Sequence, residues 1–182
     1  QTLPDLRHDY VFQSRADGAD IRWSPGEPVD DLPRCTALIA LWGATSGAET
    51  ALAENARLVG QSCDLAQRLG ATRVMHLSSA AVYGPGPTTS EDRATNPSNT
   101  YGKSKLDMEH AVATSKANGL TQICLRLANV VGADSLAPAL RGERPARIDD
   151  FDPDPNQHQG PRRSYIGAQG LLTVTDALLS LP

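Results

Sequence analysis

Tyr101 and Lys105 stand four residues apart in Tyr101-Gly-Lys-Ser-Lys105, and Ser79 closes an apolar run 22 residues earlier. On a helix, residues at i and i+4 share a face. A phenol is un-ionised near neutral pH, with a pKa of about 10, and an ammonium within a few ångströms favours the phenolate. A serine hydroxyl can hydrogen-bond the carbonyl or alkoxide oxygen of a bound molecule. Together the three residue types suit proton transfer at a carbon bearing a hydroxyl, coupled to hydride movement. A Tyr-x-x-x-Lys pair alone arises by chance in many helices, so its surroundings decide what it means.

Those surroundings alternate strand and helix. Residues 9–13 read as a short strand closed by the polar run Ser14-Arg15-Ala16-Asp17-Gly18, and 21–23 as an edge-like strand. Residues 24–34, with three prolines, read as loop. Residues 36–42 form a continuous apolar run ending at Gly43, the pattern of a strand buried on both faces. Over 49–69 the residues Leu52, Ala56, Val59, Cys63, Ala66 and Leu69 recur at three or four, one face of an amphipathic helix that Gly70 stops. A buried strand over 73–78, a loop over 85–98 and a helix over 101–116 follow, the helix with Leu106, His110 and Ala113 on one side and Asn118-Gly119 at its end. A strand over 122–127 and a closing helix over 171–181 complete the reading. This rhythm predicts an α/β fold, a doubly wound parallel sheet. Residues 1–132 are the expected dinucleotide-binding core, and 133–182 a small, irregular substrate lobe with the closing helix.

Composition narrows the class. The 182 residues are 40% hydrophobic and 21% charged, near globular averages, and the length suggests one domain. A net charge of −4 and a pI near 5.5 leave no electrostatic footprint for nucleic acid. No apolar run approaches the roughly 18 residues a membrane helix needs, and no basic, apolar leader opens the chain. Cys35, Cys63 and Cys124 are odd in number and scattered, so neither a disulfide framework nor a metal site is expected, and no histidine is assigned to metal or nucleophile duty. The expectation is a cytoplasmic protein with a small-molecule substrate and no nucleic-acid or membrane partner. His76, inside a strand, is expected to be a core residue with a satisfied hydrogen bond.

Around the Tyr-Lys pair, His76-Leu-Ser-Ser79-Ala80-Ala81-Val-Tyr-Gly84, the loop residues Glu91 and Pro97, and Leu125-Arg-Leu-Ala128-Asn129-Val-Val-Gly132 form a series. It resembles the extended short-chain dehydrogenase/reductase family, the NAD(P)-dependent epimerase/dehydratase group with a Rossmann-type fold, well over residues 36–132 and loosely elsewhere. The resemblance implies that Tyr101 is the acid/base, that Lys105 holds the nicotinamide ribose and lowers the tyrosine pKa, and that Ser79 polarises the substrate oxygen. It places cofactor contacts at Leu41, Trp42, Gly43, Leu77, Ala128 and the Tyr101–Lys105 pair, and substrate contacts at Ser79, Asn129 and Arg163. Arg162 and Arg163 suit a substrate diphosphate, though a solvated pair is the plainer reading, as a turn-stabilising role is for Asn129. Ala80 and Ala81 stand where the family's sugar dehydratases carry an Asp-Glu pair, which disfavours dehydration.

Other positions depart from the pattern. No G-x-x-G-x-x-G or G-x-G-x-x-G, the turn that receives a pyrophosphate, occurs in the 182 residues. The chain opens on Gln1, and the family layout places the first strand, the glycine turn and most of the first helix, on the order of 30 residues, ahead of it. Whether the protein has them stays open. Arg15 suits a 2′-phosphate and so leans toward NADP, while Asp17 keeps NAD open. Trp42 replaces a small residue, so its indole either alters how the dinucleotide lies or turns into the core. Gln169 and Gly170 replace acidic residues.

The expected function is an NAD(P)-dependent epimerase or oxidoreductase acting on a sugar or nucleotide sugar. The alternatives are a non-catalytic dinucleotide-fold binding or regulatory protein, and a reductase of a small non-sugar carbonyl. A homodimer through helices 49–69 and 100–116 is expected from the resemblance.

Overall fold

A computed structural model describes residues 10–86, 90–117, 119–133, 141–143 and 164–181. The chain divides into two compact units, Gln1–Arg126 and Leu127–Pro182.

In the first unit, β1 (Gln13–Ser14) and β2 (Ile21–Arg22) form a two-stranded parallel sheet. A second sheet has the order β3 (Ala37–Ala40), β4 (Arg73–Ser79), β5 (Thr121–Leu127). β3 and β4 run parallel, with Ala37 opposite Arg73 and Ala40 opposite His76. Helix α1 (Glu49–Leu69) connects β3 to β4, and α2 (Thr100–Thr114) connects β4 to β5. A 3-10 turn over Ala80–Tyr83 follows β4 directly. The α/β class is thus the one expected.

Helix α1 has the bounds its periodicity dictates. Gly70 ends it in the left-handed conformation (φ 78°), which glycine adopts without steric cost, and the Ala71 N–H reaches back to the Ala66 carbonyl at 2.8 Å. Its buried face works in three directions. Leu65 and Leu69 pack with Trp23, Ala66 with Ala71 and Val74, and Val59 and Cys63 with Met108 of α2. One stripe therefore joins the β1–β2 side, the central sheet and the second helix into one core.

Three expectations need correction, the first being the strand over 36–42, which is confined to Ala37–Ala40 and only partly buried, with Leu41 exposed. Among the described residues, the strand expected over 9–13 is reduced to Gln13–Ser14, with Val11 and Phe12 exposed, because so short a strand has one partner and little core to cover. Helix α2 ends at Thr114, with Ser115 extended behind it, and His110 and Ala113 are exposed. Its buried residues are Gly102, Ser104, Lys105 and Met108, while Leu106 is half-buried. The inward face is chosen by polar contacts that an apolar pattern does not reveal.

In the second unit, β6 (Asn129–Val130) pairs in parallel with β7 (Tyr165–Ile166), and α3 (Ala168–Leu179) follows. Helix α3 starts three residues earlier than expected and takes in Gln169 and Gly170, a departure from the family pattern that helix geometry tolerates. Most of the expected substrate lobe, Arg162 and Arg163 included, lies outside the described residues.

Candidate active site

Strand alternation distributes the residues of β4. His76 and Ser78 are buried, and His76 Nε2 meets Gln122 Oε1 at 3.3 Å. Burial lowers the pKa of His76, the Gln122 hydrogen bond opposes this, and the charge of Lys105 adds to the lowering. Ser79, half-buried at the strand end, accepts a hydrogen bond from the Ala81 N–H (3.2 Å) through its Oγ and so caps the 3-10 turn. The hydroxyl keeps its proton to donate.

Helix α2 brings Tyr101 and Lys105 to the same strand end. Asn99 caps the helix by accepting from the Gly102 N–H at 2.7 Å. Gly102 is needed for contact, since a Cβ there would stand 2.6 Å from the Ala81 carbonyl oxygen and 2.9 Å from Pro97 Cβ. The first turn of α2 can therefore lie directly against the turn that follows Ser79.

Lys105 is 6% exposed, and its Nζ donates to the Leu77 carbonyl at 2.8 Å and lies 6.0 Å from the centre of the Tyr101 ring. Burial lowers its pKa, and the neighbouring Cys124 pulls it back up. The Cys124 thiol itself is pushed up to about 11, first by burial and then by Glu109. An ammonium has three hydrogens, and the Leu77 bond uses one.

The turn after β3 closes over this lysine. Gly43 (φ 137°) has no room for a side chain, because a Cβ would stand 2.5 Å from Asn55 Oδ1 and 3.9 Å from Lys105 Nζ. Asn55 of α1, buried, accepts from the Ala44 N–H at 2.9 Å and donates to the Ala44 carbonyl at 3.0 Å and to Ser104 Oγ at 3.1 Å. Ser104 in turn donates to the Tyr101 carbonyl at 2.9 Å. Asn55 thus ties the β3 turn to the turn of α2 that carries Tyr101. Sequence reasoning missed it, although a polar residue inside the apolar stripe of α1 was a usable signal.

A second polar chain runs beside the first. Ser78 Oγ donates to Glu109 Oε1, and Arg126 of β5 grips the same carboxylate through Nε (2.9 Å) and Nη2 (2.7 Å). Arg126 Nη1 also donates to Tyr83 Oη at 2.8 Å, with the guanidinium 4.8 Å from the Tyr83 ring centre. Burial pushes the Glu109 carboxyl up, but hydrogen bonds from Arg126 and Ser78 and the Arg126 charge outweigh it, so its pKa is lowered. The hydrogen bond to Glu109 raises that of Arg126.

Of the other expected site residues, Leu41 is 70% exposed just after β3 and Gly43 lies close to Lys105. Trp42 takes the inward alternative, its indole donating to Ser62 Oγ at 2.9 Å and packing with Trp23, ring centres 6.1 Å apart. Arg15 follows β1 and is exposed. Ala128, in the second unit, is half-buried, and Asn129 Nδ2 donates to the Ser164 carbonyl at 3.1 Å, bridging β6 to the residue before β7. Among the described residues no cluster of three or more His, Cys, Asp or Glu could hold a metal, and no helix is long and apolar enough to cross a membrane.

A dinucleotide's nicotinamide ribose needs a cation with spare donors and a backbone that passes closely. Lys105 and Gly43 meet both needs, so the residues present fit that end of NAD. The turn suited to the pyrophosphate is not among these 182 residues.

Comparison with solved structures places the fold. MoeE5, in complex with UDP-glucuronic acid and NAD, is 22% identical with a TM-score of 0.73, over 98% of this chain and 67% of that one. The Bordetella bronchiseptica enzyme WbmG, in complex with NAD and UDP, is 20% identical (TM-score 0.60) over 80% of this chain and 46% of that one. UDP-glucuronic acid 4-epimerase from Bacillus cereus, in complex with UDP-glucuronic acid and NAD, is 19% identical (TM-score 0.60) over 81% and 50%. The chain spans about half the length of the last two. A search of curated proteins found no match. The model of the NAD dependent epimerase/dehydratase family matches residues 5–149. That match takes in β1 to β5 and both helices around Tyr101 and Lys105, and the chain belongs to the NAD dependent epimerase/dehydratase family.

Proposed function

We propose that this chain carries the proton-transfer site of an NAD-dependent epimerase or oxidoreductase acting on a nucleotide sugar. The observation that supports this most is the anchoring of a buried Lys105 ammonium to the Leu77 carbonyl, beside Tyr101 and within reach of the Gly43 turn. NAD, when bound, supplies the hydride acceptor. Tyr101, as phenolate, takes the proton of the sugar hydroxyl, and Ser79, whose oxygen already accepts from the Ala81 N–H, donates a hydrogen bond to the same oxygen. The ammonium of Lys105 stabilises negative charge on the phenol and holds the ribose hydroxyls. Asn129 and Arg163 are proposed substrate contacts, and Leu41, Gly43, Leu77 and Ala128 are proposed cofactor contacts. Trp42 turns its indole away to Ser62, which leaves its backbone for the proposed cofactor contact. Arg15 would favour a 2′-phosphate, and a homodimer through α1 and α2 is part of the reading.

The test has two arms. Calorimetric titration with NAD and NADP measures binding, and NMR of UDP-glucose and UDP-glucuronic acid incubated with protein and NAD measures turnover. Conversion of either sugar with NAD bound supports the reading. Binding without conversion of any nucleotide sugar or small carbonyl would favour a binding scaffold. NADP no tighter than NAD would remove the role of Arg15.

A further inference from the structure

We propose that the chain Ser78–Glu109–Arg126–Tyr83 is a positioning device, which fixes how α2 is rotated against β4 and so sets where Lys105 and Tyr101 stand relative to Ser79. The inference rests on the proposed function for its catalytic meaning, but its geometry is independent of it.

Two adjacent residues of β4 contact two successive turns of α2. The Leu77 carbonyl receives Lys105 Nζ, and Ser78 Oγ donates to Glu109, one turn further along. Two contacts a turn apart restrict the roll of the helix against β4 more tightly than one. The planar, bidentate grip of Arg126 then fixes the carboxylate's orientation from β5. The remaining guanidinium nitrogen reaches Tyr83, the last residue of the turn that Ser79 caps. The path therefore closes on itself, from Ser78 through the helix and β5 to Tyr83 and back along the turn to Ser79. The Glu109 side chain is 10% exposed and that of Arg126 26%. A pair this buried loses much when misaligned and tolerates few geometries.

The test reads Lys105 directly, by NMR titration of lysines labelled at Cε, with Lys105→Arg to assign the signal. Burial holds the Lys105 pKa below the ordinary value, with Tyr101, His76 and Cys124 as the titratable neighbours that share its surroundings. In Glu109→Gln, loss of a nearby anion acting by charge alone would lower the midpoint further. Loss of position lets water reach the ammonium and raises it. We expect a rise corresponding to a three- to tenfold change in the ionisation constant. Ser78→Ala removes the latch without changing charge and should give a smaller rise. Leu65→Ala, on the side of α1 that faces Trp23, should lower Tm without moving the midpoint. A midpoint unchanged or lowered in both Glu109→Gln and Ser78→Ala would overturn the proposal, whether or not the enzyme turns over. Where turnover is present, kcat should fall by up to about 10²-fold and KM for NAD should rise, since Lys105 also holds the ribose. Absence of turnover in the unmutated protein would count against the proposed function alone.

Discussion

Helices α1 and α2 pack against each other in one core but bury opposite kinds of surface. Helix α1 turns inward Leu52, Val59, Cys63, Leu65, Ala66 and Leu69, with Asn55 and Ser62 as polar exceptions. Helix α2 turns inward Gly102, Ser104, Lys105 and a single large apolar side chain, Met108. Apolar burial stabilises in proportion to area, at roughly 25 cal/mol per Å², so α1 carries the fold. A buried charge costs stability unless it is paired as well as hydrogen-bonded, and the Lys105 ammonium has a carbonyl, not a carboxylate, as its partner. Helix α2, which carries the proposed proton-transfer pair, therefore depends on α1 and the sheet for its stability. On the proposed function, chemistry and stability sit on neighbouring helices, and substitutions should separate them.

The widest separation is expected for Tyr101→Phe. If α2 is the chemical helix, turnover should fall by roughly 10²–10⁴-fold with Tm and NAD affinity nearly unchanged. A variant that keeps the unmutated rate would sink the assignment. Val59→Ala is the counterpart on α1: removing two carbons from a 2% exposed position should cost about 2 kcal/mol in urea unfolding, with kcat of the folded fraction little changed.

Gly102→Val probes the contact between helix and turn. The new Cβ meets the Ala81 carbonyl, so α2 must lift, at a cost of about 1–3 kcal/mol, and turnover should fall with stability. A loss of stability with an unaltered rate would mean that Tyr101 does not depend on this approach.

His76 gives a pH-dependent readout on the strand between the helices. Its folded pKa is lowered by burial below the ordinary 6.5, so the unfolded chain takes up the proton first. Stability is then level above about pH 6.5 and falls as pH drops through it, by at most about 1.4 kcal/mol per pH unit. His76→Gln should flatten Tm between pH 7 and 5; an unchanged slope would put the titrating group elsewhere. The smallest effect belongs to the exposed side of α1, where Arg57 pairs with Glu54 at 2.8 Å. Arg57→Ala should change stability by less than about 0.5 kcal/mol in the same unfolding assay.

The difference between the helices also explains what was legible in the chain. Helix α1, β4 and the Gly70 stop follow from periodicity, because their buried face is mostly hydrocarbon and hydrocarbon leaves a period. Helix α2 was legible as a motif, but the side marked by Leu106, His110 and Ala113 is not its buried one, since His110 and Ala113 are exposed. The inward turn of Trp42 was one of two open alternatives, and Ser62, 20 residues away, supplies the acceptor that resolves it.

Local chemistry alone determined the order of strands and helices, the class of the fold and the spacing of Tyr101 and Lys105, because propensity, capping and i, i+4 geometry act over a few residues. Tertiary structure decided which polar groups meet. Ser78 reaches Glu109 across 31 residues, Arg126 reaches Tyr83 across 43, and Asn55 reaches Ser104 across 49. Such partners share no local pattern, and only the packing of α1 and α2 on one sheet brings their donors and acceptors within 3 Å or so of each other.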